Sequence, residues 1–319
     1  MKILVTGGAG FIGSNFIRYK LNSDSSVKII NLDKLTYAGN PDNLKDLEDN
    51  DNYKLIKGDI ADESIVSQIM ENEKPDAVIN FAAESHVDNS IKNSLNFTKT
   101  NVLGTNVLLN VSKFYNIDRF IQISTDEVYG SAKKGKFREK DPLKPNNPYS
   151  ASKTAADVLV RSYIKTYNFP ALITRSCNNV GPYQHVEKFI PLFTTNLFEE
   201  KKVPLYGDGS NIREWIHVLD NCKGIDTVLK KGKIGEIYNI GTGEEKSNLE
   251  IAKLLQEKIQ PNKELIKFVT DRKGHDFRYA LDNSKIRNLG WQPEFKFSDA
   301  FENTINSYKN NKWWWKKLK

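Results

Sequence analysis

Short apolar runs alternate with stretches of helical periodicity along the first half of the chain. Residues 2–6 form the first apolar run, and Phe11, Ile12, Phe16 and Ile17 then recur at the spacing of one helix face,. The same pattern predicts five further strands, at residues 27–32, 53–57, 77–81, 118–124 and 171–174, and two long helices, at residues 94–115 and 149–167,. Strands that alternate with helices are typical of a parallel sheet with helices on both faces, so we expect an α/β, doubly wound fold.

A glycine-rich turn follows the first predicted strand. Gly7, Gly10 and Gly13 have the spacing that permits a tight turn, a close approach of the backbone to a pyrophosphate, and close packing of the next helix,. The start of that helix offers free amides to the phosphates. Asp33 ends the second strand, about 20 residues past the last glycine, where an acid binds the adenine ribose hydroxyls and repels a 2′-phosphate,. The pattern therefore predicts a Rossmann-like site for NAD, with residues 59–60 placed to bracket the adenine.

The pattern changes near residue 177, beyond which the predicted elements are shorter and more mixed. We expect residues 212–218 and 236–240 to return to the main sheet, and the remainder to form a smaller α/β substrate-binding domain,. The predicted domains are an NAD-binding domain of residues 1–177 with 212–242, and a substrate domain of residues 178–211 with 243–319.

Polar residues end the fifth predicted strand abruptly. Thr125, Asp126 and Glu127 follow the apolar run 120–123, so we expect them at the carboxyl edge of the sheet, where open α/β folds bind ligands,. Like charge and burial both resist ionisation, and unequal surroundings push the two pKa values apart, making one carboxyl an acid and the other a base. The alternative is an ordinary solvated turn or a helix N-cap.

A second candidate for chemistry is the pair Tyr149 and Lys153, in a helix predicted to begin at Asn147-Pro148,. Residues four apart share a helix face, so the lysine ammonium would lie near the phenol and lower its pKa. Tyr149 is then a candidate base for removing a hydroxyl proton during hydride transfer, with Lys153 holding the nicotinamide ribose. The alternative is an exposed tyrosine and lysine on a surface helix.

Composition narrows the class of protein. The chain is 39% hydrophobic and 27% charged, which is normal for a globular protein, and no apolar run is long enough to cross a bilayer,. Met1 leads directly into a strand without a signal peptide, and two cysteines do not make a disulfide framework, so we expect a cytoplasmic protein with no membrane partner,. The net charge of +7 comes from scattered lysines, which indicates solvated faces and no nucleic-acid partner,. The four histidines lack ligand spacing, so we expect no metal,.

The glycine-rich turn and the Tyr149-x-x-x-Lys153 pair together resemble the extended short-chain dehydrogenase/reductase family. A closer resemblance is to the nucleotide-sugar 4,6-dehydratases that act on dTDP-glucose. It is carried by residues 33–40, 82–88, 125–130, 178–179 and 274–276, which read DKLTYAGN, AAESHVD, TDEVYG, NN and GHD. The Thr-Asp-Glu triplet is the specific part, because UDP-sugar epimerases and decarboxylases of the same family lack the Asp-Glu pair.

This resemblance implies roles for three sets of residues. The implied catalytic set is Thr125, Asp126, Glu127, Tyr149 and Lys153. The implied NAD-binding set is Gly7, Gly10, Phe11, Ile12, Gly13, Asp33, Lys34, Thr36, Asp59, Ile60, Phe81, Ala82, Ala83, Ser85, Thr100, Tyr149, Lys153 and Asn179. The implied substrate-binding set is Ser85, Thr125, Asn178, Lys188, Phe189, Pro204, Tyr206, Arg213, Asn248, Arg272 and His275.

The resemblance also implies a reaction. It is an NAD-dependent oxidation at carbon 4 of dTDP-glucose, elimination of water across carbons 5 and 6, and return of the hydride to carbon 6, in deoxysugar biosynthesis such as that of rhamnose. A homodimer is implied, in which the two long helices pair as a four-helix bundle; packing on their own sheet is an equally good use of those helices. Other readings stay open at this point: another nucleotide-sugar 4,6-dehydratase, a UDP-sugar 4-epimerase, a non-catalytic NAD-binding regulator, and a basic nucleic-acid binder.

Overall fold

A parallel seven-stranded sheet forms the centre of the computed structural model, which describes residues 1–319. The strands of the chain are β1 (Lys2–Thr6), β2 (Lys28–Asp33), β3 (Tyr53–Lys57), β4 (Ala77–Asn80), β5 (Arg119–Thr125), β6 (Ala171–Ser176), β7 (Asn178–Val180), β8 (Val203–Tyr206), β9 (Ile212–His217), β10 (Ile237–Ile240), β11 (Glu245–Ser247) and β12 (Ile266–Val269). The main sheet has the order β10-β6-β5-β4-β1-β2-β3, and every neighbouring pair is parallel. The chain builds outward in opposite directions from β1 and β4, and open α/β sheets bind ligands at such a reversal.

Twelve α-helices connect and cover the strands. They are α1 (Phe11–Ser23), α2 (Glu63–Glu73), α3 (Val87–Lys92), α4 (Leu95–Phe97), α5 (Thr105–Phe114), α6 (Pro148–Tyr167), α7 (Phe189–Phe198), α8 (Val218–Lys231), α9 (Asn248–Ile259), α10 (Ser284–Arg287), α11 (Phe297–Asn310) and α12 (Lys312–Trp315). A π-helical turn, Thr98–Gly104, joins α4 to α5, so the predicted helix at residues 94–115 is present with one irregular turn. None of the helices combines the length and apolar character that a bilayer-spanning segment requires,.

Helices cover both faces of the main sheet. Val5 on β1 packs with Phe16 of α1 in one buried cluster, which also contains residues of α8. Leu4, the neighbour of Val5, points to the other face and belongs to a second cluster with Leu108 of α5 and Val160 of α6. Successive side chains of a strand point to opposite faces, so this apolar run is buried on both sides. The predicted α/β doubly wound fold is confirmed.

A smaller α/β unit is built from two minor sheets, β11-β9-β7 and β12-β8. The prediction that residues 236–240 return to the main sheet is confirmed by β10, but the same prediction for residues 212–218 is wrong, because β9 pairs with β7 and β11. Both faces of β9 are buried: Trp215 packs in the core of the smaller unit and Ile216 in the first cluster of the main sheet. Such a doubly buried strand fits either sheet, so its periodicity does not identify its partner.

Candidate active site

A cleft of about 310 Å³ lies along the ends of the parallel strands. It runs past the residues that follow β1, β2, β3, β4 and β5, the region where the strand order reverses. Every residue predicted to bind NAD lines it: Gly7, Gly10, Phe11, Ile12, Gly13, Asp33, Lys34, Thr36, Asp59, Ile60, Phe81, Ala82, Ala83, Ser85, Thr100, Tyr149, Lys153 and Asn179. Thr125, Asp126 and Glu127, here called the acidic triplet, line the same cleft. The structure therefore brings the triplet and the glycine-rich turn to one site.

The glycine-rich turn is packed as a cradle. Gly7 has a φ of +69°, and a Cβ on it would lie 2.5 Å from the backbone nitrogen of Ala82. A Cβ on Gly13 would lie 2.5 Å from the carbonyl oxygen of Gly7, so only glycine lets α1 approach the turn this closely. Gly10 has a single neighbouring atom within 4 Å of such a Cβ, which leaves its outer side open to a ligand. This geometry fits a pyrophosphate at the start of α1.

Asp33 stands at the end of β2 with both carboxylate oxygens directed by backbone amides. Ala9 donates to Oδ2 at 2.9 Å and Leu35 donates to Oδ1 at 2.8 Å. An ionised carboxylate has about four acceptor positions, so two remain for ribose hydroxyls. Further buried acceptors without a protein partner occur along the cleft at Asn178, Asn179 and Gln184. Buried polar atoms are nearly always paired, so these oxygens fit the donors of a bound dinucleotide or substrate.

The acidic triplet begins where β5 ends. The Thr125 hydroxyl accepts a hydrogen bond from the Glu127 amide at 3.3 Å, so it does cap the short turn Asp126–Tyr129. The cap is not the whole role of the stretch, because Asp126 is only 2% exposed and therefore not part of a solvated turn. Its Oδ1 accepts from Thr125 at 3.2 Å, while its buried Oδ2 has no partner in the protein. Oδ2 is thus available to a reacting group.

The two adjacent carboxyls have unequal surroundings. Burial, and then the neighbouring charge of Glu127, raise the pKa of Asp126 well above its usual value,. Burial also raises the pKa of Glu127, but Arg272, Arg213 and Lys188 act in the opposite direction. A protonated Asp126 beside a more readily ionised Glu127 is an arrangement of one acid and one base.

Tyr149 and Lys153 lie in the first turns of α6. Asn147 caps this helix, its side chain accepting from the Ser150 amide at 2.9 Å, and Pro148 stands at the first helical position as predicted,. The alternative of exposed residues is excluded for Lys153, which is 4% exposed and donates from Nζ to the carbonyl of Ile123 at 2.6 Å. Burial lowers the pKa of Lys153 to about 8.

The prediction that Lys153 lowers the pKa of Tyr149 is wrong for this structure. Burial raises the pKa of the phenol far above its ordinary value, and the nearby carboxyls Glu127 and Asp126 raise it further,. A hydrogen bond from Thr125 acts in the opposite direction. The spacing in the sequence identified Lys153 as a neighbour of the phenol, but the charges that most affect the pKa of Tyr149 are the carboxyls of Glu127 and Asp126, which follow β5.

The predicted substrate residues fall into two groups. Ser85, Thr125, Asn178 and Lys188 line the cleft, and the Lys188 ammonium donates to the Ser85 carbonyl at 2.7 Å. The others lie outside its lining, in the smaller unit: Phe189, Pro204, Tyr206, Arg213, Asn248, Arg272 and His275.

Contacts in the second group bring several of these side chains to one place. Tyr206 donates to Asp88 Oδ2 at 2.9 Å, and Arg272 Nη1 lies 3.8 Å from Asp88 Oδ1. The Tyr206 ring meets the His275 ring edge-on, with centroids 6.2 Å apart. Pro204, in contrast, is exposed on β8, and the Phe189 ring packs on Phe193 in the core of the smaller unit.

Sequence reasoning missed several residues around the acidic pair. The Tyr279 hydroxyl donates to Asp276 Oδ2 at 2.8 Å and lies 3.5 Å from Glu127 Oε2. The Arg213 guanidinium stacks on the Tyr279 ring at 4.3 Å. Asp276 belongs to the GHD stretch at residues 274–276, which the family resemblance had pointed to. Tyr279 belongs to no motif, so nothing in the sequence singled it out. Further unpredicted lining residues are Gln184, His185 and Glu187.

Comparison with known proteins finds relatives over the full chain. A family model described as GDP-mannose 4,6 dehydratase matches residues 4–304. The low-salt glycan biosynthesis protein Agl12 of Haloferax volcanii is 54% identical, over 97% of this chain and 98% of its own. The dTDP-glucose 4,6-dehydratase of Streptomyces niveus is 46% identical, over 100% of this chain and 96% of its own. The crystal structure of a dTDP-glucose 4,6-dehydratase from Streptomyces venezuelae, with NAD bound, matches with a TM-score of 0.97 at 46% identity and covers 100% of both chains.

Proposed function

Because this chain belongs to the GDP-mannose 4,6-dehydratase family of extended short-chain dehydrogenases/reductases, we propose that it is an NAD-dependent dTDP-glucose 4,6-dehydratase. The reaction is that of a hydro-lyase and converts dTDP-glucose to dTDP-4-keto-6-deoxyglucose. The observation that carries the proposal is the adjacent pair Asp126 and Glu127, which line the cleft together with Tyr149 and whose pKa values respond to different surroundings. An epimerase needs hydride and proton transfer only at carbon 4 and its oxygen, whereas elimination of water needs a further base at carbon 5 and a further acid at the 6-hydroxyl.

NAD in the cleft supplies a hydride acceptor for carbon 4 and later a hydride donor for carbon 6. Tyr149 removes the proton of the 4-hydroxyl, and Thr125, which acts to lower the pKa of the phenol, stabilises the charge that develops there,. Burial raises the pKa of the Tyr149 phenol and so opposes its ionisation. The positive charge of an oxidised nicotinamide bound nearby would favour the phenolate and lower that pKa. Lys153, buried and bonded to the Ile123 carbonyl, holds the nicotinamide ribose.

The carboxyl pair carries out the elimination. Oxidation at carbon 4 acidifies the hydrogen on carbon 5, and Glu127, which the nearby cations favour as a carboxylate, removes it,. Asp126, kept protonated by burial, gives its proton from Oδ2 to the departing 6-hydroxyl, and water leaves. The hydride then adds to carbon 6, and carbon 5 receives a proton back from Glu127.

Three cations suit the diphosphate of the substrate. Lys188, Arg213 and Arg272 all act electrostatically on Glu127, so they lie around the inner end of the site. The guanidinium of Arg272 has a buried Nε without a protein partner, and planar guanidinium groups bind phosphate oxygens in pairs,. The remaining residues that we assign to the nucleotide-sugar are Ser85, Thr125, Asn178, Phe189, Pro204, Tyr206, Asn248 and His275.

The proposal also assigns the two ligands to two parts of the chain. Residues 1–177 with 212–242 bind NAD, and residues 178–211 with 243–319 bind the nucleotide-sugar. The strand β9 lies at the junction, which is consistent with its packing in the cores of both units.

A product assay tests the proposed activity. Purified protein is incubated with dTDP-glucose, and in parallel with UDP-, GDP- and CDP-glucose. The expected product is a base-labile 4-keto-6-deoxy sugar nucleotide, formed fastest from dTDP-glucose. Formation of a second hexose with carbon 6 unchanged would instead identify an epimerase, and faster turnover of another nucleotide would reassign the substrate.

We further propose that the enzyme is a homodimer. Leu95 and Phe114 are each 76% exposed and Val158 is 52% exposed. All three apolar side chains lie on helices of one layer. Exposed apolar patches of this kind mark contacts between proteins. Light scattering should give twice the chain mass for the wild type and the chain mass for Phe114→Asp combined with Val158→Asp; a monomeric wild type would contradict the proposal.

We assign the enzyme to the cytoplasm. Cys177 and Cys222 are both free and buried, and a reducing compartment suits a chain without disulfides,. Cell fractionation with an antibody against the protein tests this assignment, and recovery from an extracellular or envelope fraction would contradict it.

A further inference from the structure

The last residues of the chain pack between the smaller unit and the segment that follows β2. In the tail, defined as residues 311–319, Trp314 is 3% exposed and Trp315 is 1% exposed. They form a small buried cluster with Tyr308 and Val186, separate from the three large cores. Burying two tryptophans at a chain end is a large stabilising contribution, so the tail is firmly attached.

A chain of two hydrogen bonds leads from the tail to the glycine-rich turn. Trp314 Nε1 donates to Asn43 Oδ1 at 2.7 Å, and Asn43 Nδ2 donates to the carbonyl oxygen of Ala9 at 2.8 Å. Ala9 lies between Gly7 and Gly10, and its amide donates to Asp33 Oδ2. Asn43 is 1% exposed and uses both ends of its amide, so it connects a residue at the far end of the sequence to the turn that faces the pyrophosphate.

Further contacts fix the tail on either side of Asn43. Trp315 Nε1 donates to the carbonyl of Tyr308 at 2.8 Å, and the Tyr308 hydroxyl donates to the carbonyl of Gln184, which lines the cleft. The Lys317 ammonium lies 3.0 Å from Asp42 Oδ2, beside Asn43 in the sequence. The tail therefore contacts the segment around Asn43 directly and is linked through Tyr308 to Gln184 at the cleft.

We propose that Trp314 and Asn43 are positioning residues that hold the glycine-rich turn in its NAD-binding shape, so that the tail keeps NAD bound. Neither residue lines the cleft, so they act through Ala9 and not by touching the cofactor. The inference rests on the proposed function only in explaining why NAD should be held tightly. In that reaction the hydride removed from carbon 4 must return to the same sugar, so NAD must stay bound throughout.

NAD affinity of the purified protein, measured by titration calorimetry without sugar, tests the inference. Trp314→Phe keeps an aromatic ring at this position, though a smaller one, and removes the N–H donor, and one lost hydrogen bond should weaken NAD binding roughly fivefold to tenfold. Trp313→Phe is the matched control, because Trp313 is 49% exposed and bonds only within the tail, to Asn311. The control should bind NAD as the wild type does; equal affinities for the wild type and Trp314→Phe would overturn the proposal.

A double-mutant cycle separates positioning from general loosening of the fold. Asn43→Asp retains an acceptor for Trp314 and loses the donor to Ala9, so it should weaken NAD binding at least as much as Trp314→Phe. In the double variant, Trp314→Phe should then have little further effect, because residues in one chain of contacts are not additive. Fully additive losses would overturn the inference. Since the readout is NAD binding, an inactive wild type would refute the proposed reaction and leave this result standing.

Discussion

Asp126→Asn removes a proton donor while leaving shape and charge nearly unchanged. Asp126 is buried, and burial raises its pKa well above the usual value, which favours the neutral acid,. An asparagine has the same outline, carries no charge and retains an oxygen for the Thr125 hydroxyl. The variant should fold and oxidise carbon 4, but loss of general acid catalysis should slow the release of water by about 10²- to 10⁴-fold. Rapid-quench analysis of the sugar would show the 4-keto-glucose species accumulating.

The same substitution changes how stability depends on pH. The unfolded carboxyl has a pKa of about 3.9. Between that value and the raised folded-state pKa, the native protein binds one more proton than the unfolded chain, so Asp126 lowers the free energy of unfolding as pH rises,. The slope is about 1.4 kcal/mol per pH unit, and asparagine abolishes it. The variant should therefore become more stable relative to the wild type as the pH rises from 5 toward 7,.

Urea unfolding at pH 5, 6 and 7 measures this difference. Asp62→Asn is the control, because Asp62 is exposed and its hydrogen bonds with Ser64 and Ile65 lower its pKa. It is ionised in both states over this range, and asparagine is an equally good N-cap, so its difference from the wild type should not vary with pH. A difference for Asp126→Asn that is flat between pH 5 and pH 7 would show that Asp126 is already ionised, and the assignment of the acid would be refuted.

Three further substitutions test other parts of the site. Glu127→Gln should leave oxidation at carbon 4 measurable but suppress exchange of the carbon 5 hydrogen with solvent, followed by mass spectrometry in D₂O; unimpaired exchange would move the base elsewhere. Tyr149→Phe should slow every step, by about 10²-fold or more in kcat, because each step follows the first hydride transfer; near-normal turnover would exclude its role. Arg175→Met breaks the buried ion pair with Asp157, which spans 2.9 Å, and should lower the free energy of unfolding by about 3–5 kcal/mol,. An unchanged urea midpoint for that variant would show that the pair contributes nothing to stability.

Much of the fold and part of the site follow from local patterns. The main-sheet strands, the glycine-rich turn and the start of α6 at Pro148 are where periodicity and capping residues predict them. The cleft residues were predictable for a related reason: Gly7, Asp33, Phe81 and Thr125 each follow or end a parallel strand, and parallel strands end at one edge,. The family resemblance added the roles of these residues, which the patterns do not contain.

Other features depend on neighbours that are distant in the sequence. The partner of β9 is chosen between two sheets that its own burial pattern fits equally well. The pKa of Tyr149 is raised by burial and by the carboxyls of the turn after β5, and the lysine one helical turn away does not lower it.

The sequence contains the information that is local: the period of apolar residues, caps, turns, and which chemical groups end each strand. Only the tertiary structure decides how deeply those groups are buried and what charges surround them, and this is what makes Asp126 and Glu127 unequal. Trp314 reaches Asn43 across 271 residues of chain, and no local pattern specifies such a contact. The physical reason is that desolvation and long-range packing are properties of the whole assembled surroundings, whereas hydrogen bonding along helices and turns involves near neighbours.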